Sequence, residues 1–347
     1  AEAIAEVLQD FPEEAAARAH VVLNRGNVLF TADPPEHTRH RRLLNAALRR
    51  TAIDSIKSEI NLIARDAVSG IKRHADIDFN KALAVPVPIH CLATLLGVPR
   101  GHAADFHRWA EAINASIGSK MSRNKIKKVI QDQMEFWSFF EEEITHREKN
   151  PRQDLLSAIA TAKSEVDAPL TLAEKVGFCS QLIGAGADTT TKLVGFATLA
   201  MAQDQSLQNK LRDSPEFIRP FAEEILRLEP PVQGMFRMTT ADTELNNIKI
   251  PRGSMVWLLY GSANRDQNVF ACPNEVNLER CNASDHLSFG SGPHICIGAN
   301  LAREVAHSVL TQLLTQTQQI ALSDATQLRV LPSYVMHGLA SLTVRLT

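Results

Sequence analysis

The residue with most chemistry open to it is Cys296. It lies in the run F-G-S-G-P-H-I-C-I-G over residues 289–298, with Gly290, Gly292 and Gly298 around it. An amphipathic helix is predicted from about 296 to 315. A thiol at a helix N-terminus meets the positive end of the macrodipole and free backbone N–H groups, which favours its thiolate. Glycines lack a Cβ and let the backbone approach something bulky and flat. A thiolate with one open side suits the axial position of a haem iron, where it pushes electron density toward bound oxygen. The bland alternative is a structural cysteine in a tight loop. A zinc site built from Cys272, Cys281, His286, His294 and Cys296 is a third reading. Its spacings of nine, five, eight and two fit poorly, because zinc favours close ligand pairs.

Two other patterns stand out. A helix is predicted over 172–203, and its middle reads G-A-G-A-D-T-T-T (184–191). Glycines and β-branched threonines are poor helix-interior residues, so the helix is expected to kink or end there. The stretch is either a loosened groove with an acid and a hydroxyl, Asp188 and Thr189, or a glycine-rich packing site with back-bonded threonines. Glu224 and Arg227 are three apart on one face of a helix predicted over 216–228. Alone, such a pair is most often a solvated surface contact. Residues 33–42 read D-P-P-E-H-T-R-H-R-R, and 37–50 form a short predicted helix with a dense basic face.

Together these motifs resemble the cytochrome P-450 superfamily. The run F-G-x-G-x-H-x-C-x-G is similar to its haem-binding signature. E-I-L-R (224–227), followed by E-P-P-V-Q, Arg237 and A-N-R-D (263–266), is similar to the family's ExxR pair and meander. The resemblance implies a triangular, mainly α fold with small β-sheets and a long central helix over haem b. Cys296 would be the iron ligand, with Phe289, Gly290 and Gly298 in the binding loop. His37 and Arg41 would hold the haem propionates from one side, Arg237 and His286 from the other. Thr189 would hydrogen-bond the activated oxygen and Asp188 would relay protons. Glu224 and Arg227 would lock the meander. Gln181, Ala185, Val232, Gln233, Met235, Met336 and His337 would line a substrate pocket, with residues 11–32 as lid and 112–125 as roof. Arg39, Arg42, Arg49 and Arg50 form either a docking face for an electron donor or a solvated basic face. The implied reaction is hydroxylation or epoxidation of a small-to-medium apolar molecule by O2. The electrons would come from a ferredoxin or flavodoxin. A haem-thiolate peroxygenase or an isomerase or dehydratase is the alternative, and the Asp188-Thr189 pair argues against it.

The elements that must position these residues are legible in outline. Helical periodicity covers 52–73, 103–118, 124–148, 172–203 and 216–228. Short strands are predicted at Phe236–Thr240, Asn247–Ile250 and Met255–Tyr260, and again within 329–346. There is no internal repeat and no Gly/Ser linker, so residues 1–347 read as one domain. Only 32 residues precede the D-P-P-E-H-T stretch, short for the family. The chain has 37 Lys and Arg against 39 Asp and Glu, a net charge of −2, which gives no general case for nucleic acid or membrane binding. No apolar run reaches the roughly 20 residues of a membrane span. Five scattered cysteines fit a reducing cytoplasm better than a disulfide framework.

Overall fold

The computed structural model describes all residues except 1–5, 14, 18, 20–27, 49, 99, 116–120 and 324–325. The helices are α1 (Glu36–Ala47), α2 (Arg50–Ser55), α3 (Lys57–Ser69), α4 (Pro86–Leu96), α5 (Ala103–Asn114) and α6 (Arg123–Lys149). They continue as α7 (Leu155–Ala160), α8 (Leu172–Gln203), α9 (Gln205–Asp213), α10 (Ile218–Leu228), α11 (Tyr260–Ala263) and α12 (Ala299–Gln316). The strands are β1 (Asp76–Asp78), β2 (Met235–Met238), β3 (Thr243–Leu245), β4 (Ile248–Ile250), β5 (Met255–Leu258), β6 (Ile320–Leu322) and β7 (Thr343–Leu346). All pair antiparallel, in the order β1-β7-β6 in one sheet and as the two-stranded pairs β2-β5 and β3-β4. The mainly helical fold with small sheets agrees with the patterning. Strands β1, β3 and β6 are not legible in sequence. Each is three residues long, and β1 reads Asp-Ile-Asp, too short for an alternating pattern to register.

The contacts divide the chain into two units. The first holds residues 1–69, 83–188 and 297–308. Its core centres on α6, whose buried Ile126, Ile130, Phe136, Trp137, Phe140 and Ile144 form a stripe with helical spacing. Ser122 caps the helix by accepting from the Lys125 N–H, and His146, Arg147 and Lys149 sit at the negative end of its dipole. Phe106 and Trp109 of α5 meet Phe136 and Phe140 with ring centroids 5.7 to 6.3 Å apart. Arg147 is almost fully buried, and its guanidinium donates to Glu143 (2.9 Å), Asp154 (3.1 Å) and the Gly97 carbonyl (3.0 Å). Gly97 ends α4 in the left-handed region at φ 74°, and any Cβ there would collide with Asp154.

The second unit holds residues 70–82, 189–296 and 309–347. Its three-stranded sheet buries Val344, Leu346 and Ile320, with Val344 opposite Ile77 and Leu346 opposite Ile320. Helix α10 has a strongly one-sided apolar face, burying Ile218, Phe221, Ala222, Ile225, Leu226 and Leu228. The same helix also buries Glu224 and Arg227 completely.

Helix α8 runs unbroken for 32 residues, so of the two expected outcomes at G-A-G-A-D-T-T-T, a kink or an end, the end does not occur. The glycines serve packing within the first unit. A Cβ on Gly184 would lie 2.5 Å from Ile113 of α5, and one on Gly186 would lie 3.1 Å from Leu92 of α4. Tertiary packing outweighs a propensity deficit of about 1 kcal/mol per glycine.

Truncating the aromatic cluster tests this core. Trp109→Ala is expected to destabilise the protein by about 3–5 kcal/mol, the usual cost of emptying such a site. Chemical denaturation followed by far-UV circular dichroism measures it.

Candidate active site

In the second unit the cysteine loop folds back on itself. The Gly290 N–H donates to the Leu287 carbonyl (2.8 Å), Gly292–His294 form a single 3-10 turn, and the Cys296 N–H returns to the Phe289 carbonyl (2.8 Å). Gly290 and Gly292 hold φ of 69° and 72°, which a side chain would strain. Around Gly290 the space is open, since an added Cβ would meet nothing nearer than the Tyr260 hydroxyl at 3.7 Å. The glycine is therefore required by its backbone conformation. The loop presents Cys296 as an exposed thiol and leaves Ile295 47% exposed beside it. Helix α12 starts at Ala299, three residues later than the sequence suggests, so Cys296 precedes the helix instead of opening it.

A cavity of about 340 Å³ adjoins the loop, lined chiefly by Leu258, Leu259, Tyr260, Leu287, Arg237 and His294. Apolar walls with a guanidinium and an imidazole on the rim match the chemistry of a flat apolar macrocycle that carries carboxylates. An exposed thiol supplies the remaining ligand type that haem b needs. The donor set thus fits the group.

His286 does not line this cavity. It is buried, its Nδ1 accepts from the Ser288 N–H (3.2 Å), and its Nε2 lies 3.3 Å from Glu223. Of the two histidines, His294 is the one that stands on the cavity wall. The sequence signal that points to His294 is its position two residues before Cys296. The zinc reading also fails. Among the described residues the one close group of three possible metal ligands is Glu36, His40 and Glu174, and it includes none of the proposed cysteines. The Arg39 guanidinium is already bonded to two members of that group, Glu36 and Glu174.

The loop is positioned by the Glu224–Arg227 pair. All five N–H donors of Arg227 are used: Nε donates to Glu224 Oε1 (2.7 Å), and each of the two terminal nitrogens donates to two further acceptors. These are Glu224 Oε2 (3.0 Å) and the carbonyls of Asn264 (3.1 Å), Pro273 (2.6 Å) and Glu275 (3.0 Å). Glu224 also accepts from the Asn277 N–H (2.9 Å) and from Arg280 (3.0 Å). Asn264 carries the connection onward. Its amide accepts from the Leu287 N–H (2.7 Å) and donates to the Ser288 hydroxyl (2.9 Å), which donates to the Leu226 carbonyl (2.6 Å). In the sequence Asn264 stands out only as part of A-N-R-D, and Ser288 carries no signal of its own. Burial works to raise the Glu224 carboxyl, but the bonds from Arg227, Asn277 and Arg280 outweigh it and hold it below the usual glutamate range.

On α8 one stripe stays open to solvent while the helix is otherwise mostly buried. Gln181 is partly buried, Ala185 is exposed, and Asp188 and Thr189 are partly buried, at i, i+4, i+7 and i+8. The Gln181 amide is committed: Oε1 accepts from the Phe30 N–H (3.1 Å) and Nε2 donates to the Val28 carbonyl (2.8 Å). Gln233 is committed too, donating to the Pro230 carbonyl (2.9 Å) while its amide packs over Gly261. Neither glutamine is a free polar anchor. Val232 and Met336 face each other in an isolated β-bridge, with Met235 at the start of β2 nearby in sequence. His337 pairs with Glu229 (2.6 Å) and stacks on Phe196.

On α1, His37 is buried and Arg41 partly buried, four residues apart on one face. Arg42 pairs with Asp167 (2.7 Å), so neither it nor Arg39 offers an unneutralised charge for docking. Arg49 and the Arg50 side chain lie outside the described residues, as do parts of the expected lid and roof. Among the other thiols, burial pushes Cys91 up to about 12 and Cys179 higher still, leaving both as packed apolar groups.

A family model described as Cytochrome P450 matches residues 88–320. Cytochrome P450 109 of Bacillus spizizenii is 31% identical over 326 residues, covering 92% of this chain and 79% of that protein. Polyketide biosynthesis cytochrome P450 PksS of Bacillus subtilis is 32% identical over 322 residues, covering 92% and 78%. Among solved structures, CYP109E1 from Bacillus megaterium in complex with testosterone matches with a TM-score of 0.86 at 30% identity, covering 92% of this chain and 86% of that one.

The buried pair yields two expected outcomes. Arg227→Ala leaves Glu224 under-compensated and three carbonyls without their donor, at an expected cost of about 3–5 kcal/mol. Arg227→Lys should recover little of it, because an ammonium cannot make the forked contacts. Haem incorporation and the denaturation midpoint measure both. The folded Glu224 carboxyl lies below its unfolded value, so its stabilisation is present above about pH 4.3 and is lost as pH falls through the folded value. Wild type should therefore lose stability on acidification in that window, and Glu224→Gln should flatten the slope.

Proposed function

The chain belongs to the cytochrome P450 family, and from that premise we propose that Cys296 would supply the thiolate that holds its haem b. The chain is a haem monooxygenase. Its substrate, in this reading, is a small-to-medium apolar organic molecule that it hydroxylates or epoxidises. The observation that carries the proposal is the exposed Cys296 on a loop tied to Arg227, beside a cavity whose apolar walls carry Arg237 and His294.

Haem b, when bound, supplies the reductive activation of dioxygen. The chain's own residues do the rest. Cys296 ligates as thiolate, and the Phe289 carbonyl holds its N–H, fixing the direction from which the sulfur approaches. Gly290 sets the turn that makes this possible, and Gly298 accepts from the Ala302 N–H at the start of α12. Arg237 and His294 would hold carboxylates of the macrocycle, and the family resemblance gives the same task to His37 and Arg41. Charge-assisted bonds suit that task. Leu258, Leu259 and Leu287 keep water away from the ring. Thr189 donates a hydrogen bond from its hydroxyl, and Asp188 exchanges protons with solvent. Together they deliver the two protons consumed when one oxygen atom of O2 leaves as water and the other enters substrate. Ala185, Val232, Met235 and Met336 give the substrate an apolar wall.

The two electrons come from a separate ferredoxin- or flavodoxin-type donor. Among the described residues no helix is long and apolar enough to cross a membrane, and the free thiols support a reducing cytoplasm.

Cys296→Ser is expected to abolish the thiolate-type spectrum of the reduced CO complex and nearly all oxygenation, since the hydroxyl gives no comparable electron push. Retention of both would move the ligand role to Cys272 or Cys281. Thr189→Ala is expected to keep haem and electron consumption but to release peroxide in place of product. Losing a general-acid route typically costs about 10²–10⁴-fold. Product and peroxide formed per electron pair measure this coupling, and unchanged coupling would leave Thr189 a purely structural residue.

A further inference from the structure

Strands β2 and β5 form a two-stranded ladder in the register Met235–Leu258, Phe236–Trp257, Arg237–Val256 and Met238–Met255. Side chains alternate between the two faces of such a ladder. Arg237 and Leu258 share one face, and both line the cavity beside the cysteine loop. The other face holds Phe236, Met238, Met255 and Trp257. The Phe236 and Trp257 rings stack with centroids 5.5 Å apart, and Tyr334 stands edge-on to both at 6.3 and 6.0 Å. This outer face is apolar and open to solvent, with Met238 66% and Met255 69% exposed. The chain's other five methionines, Met121, Met134, Met201, Met235 and Met336, are all partly or fully buried. The two exposed thioethers are thus cross-strand partners, one position along β2 from Arg237.

We propose that Met238 and Met255 form a peroxide-modification site on which the placement of Arg237 depends. This rests on the proposed function, in which O2 reduced by two electrons without transfer to substrate leaves as hydrogen peroxide. The thioether sulfur attacks one peroxide oxygen. The O–O bond breaks and an S–O bond forms, the sulfur loses two electrons, and the peroxide leaves as one water. The product, methionine sulfoxide, is polar and chiral where the thioether was apolar and flexible. Cross-strand side-chain pairs are the unit that stabilises a ladder, and this one has no third strand to share the load. Arg237 belongs to the neighbouring pair and faces the cavity, so a loosened ladder presents its guanidinium less well to a carboxylate there. A methionine sulfoxide reductase reverses the oxidation and restores the ladder.

The test treats the haem-loaded protein with dilute hydrogen peroxide and stops the reaction with catalase. Peptide mass mapping should find Met238 and Met255 oxidised at least about tenfold faster than any other methionine. Haem release to an apo-globin acceptor should then rise about two- to fivefold, the scale of one lost cross-strand pair. The double variant Met238→Leu, Met255→Leu keeps the volume and removes both thioethers, so its release rate should not respond to peroxide. Direct bleaching of haem is common to both proteins and cancels in the comparison. Met255→Gln puts a polar amide at the same place and should raise release with no peroxide present, an arm that stands even where the double variant folds poorly. Oxidation of Met121, Met134, Met235 or Met336 as early as the pair would overturn the modification site. An oxidised pair with release unchanged, in peroxide-treated wild type and in Met255→Gln, would overturn the link to Arg237. A wild-type protein that takes up no haem while the pair is still oxidised first would instead overturn the reading of the active site.

Discussion

The fixed point of the second unit is the guanidinium of Arg227. A buried charge is tolerable only when every donor finds a partner, and here all five do. Three of the acceptors are backbone carbonyls from residues 264, 273 and 275, far along the chain from α10. The long irregular stretch has little regular structure to define its path, so this one side chain gives it one. Asn264 then passes the constraint to residues 287 and 288, and the loop that follows delivers Cys296. The thiol is exposed yet placed, because its support comes from a buried ionic hub behind it.

The sequence made the chemistry legible wherever one residue type has few substitutes. A cysteine among fixed glycines, an i, i+3 acid–base pair and a long apolar helix were all readable, and the helix boundaries at 172 and 203 agree with the structure. Assigning partners to polar side chains was harder. Gln181 and Gln233 had the right positions for a pocket, but backbone groups of 28, 30 and 230 claim their amides. His286 and His294 are the same residue type eight apart, and only the fold shows which one turns inward. Periodicity reports burial, and neither it nor residue type reports which of two similar groups wins a given acceptor.

Charge gave a similar lesson. The run of arginines after Asp33 reads as an intense positive face. In the structure Arg39 and Arg42 are each matched by a carboxylate from a segment more than a hundred residues away. Glu174 serves Arg39 and His40 together, and its own carboxyl is held below the usual range, with burial opposing and the bonds from His40, Thr171 and Arg39 prevailing. A local count of like charges therefore overstates the field that such a helix presents.

The glycines of α8 also shape how this protein can diversify. At 184 and 186 the neighbouring helices lie so close that any larger residue must displace Ile113 or Leu92. At 185, between them, the side chain is exposed. Mutational drift along this helix is thus channelled: adjacent codons face opposite selective regimes, one frozen by helix–helix contact and one free to explore bulk and polarity. Variation in size and polarity can accumulate at position 185 without the scaffold having to be rebuilt around it.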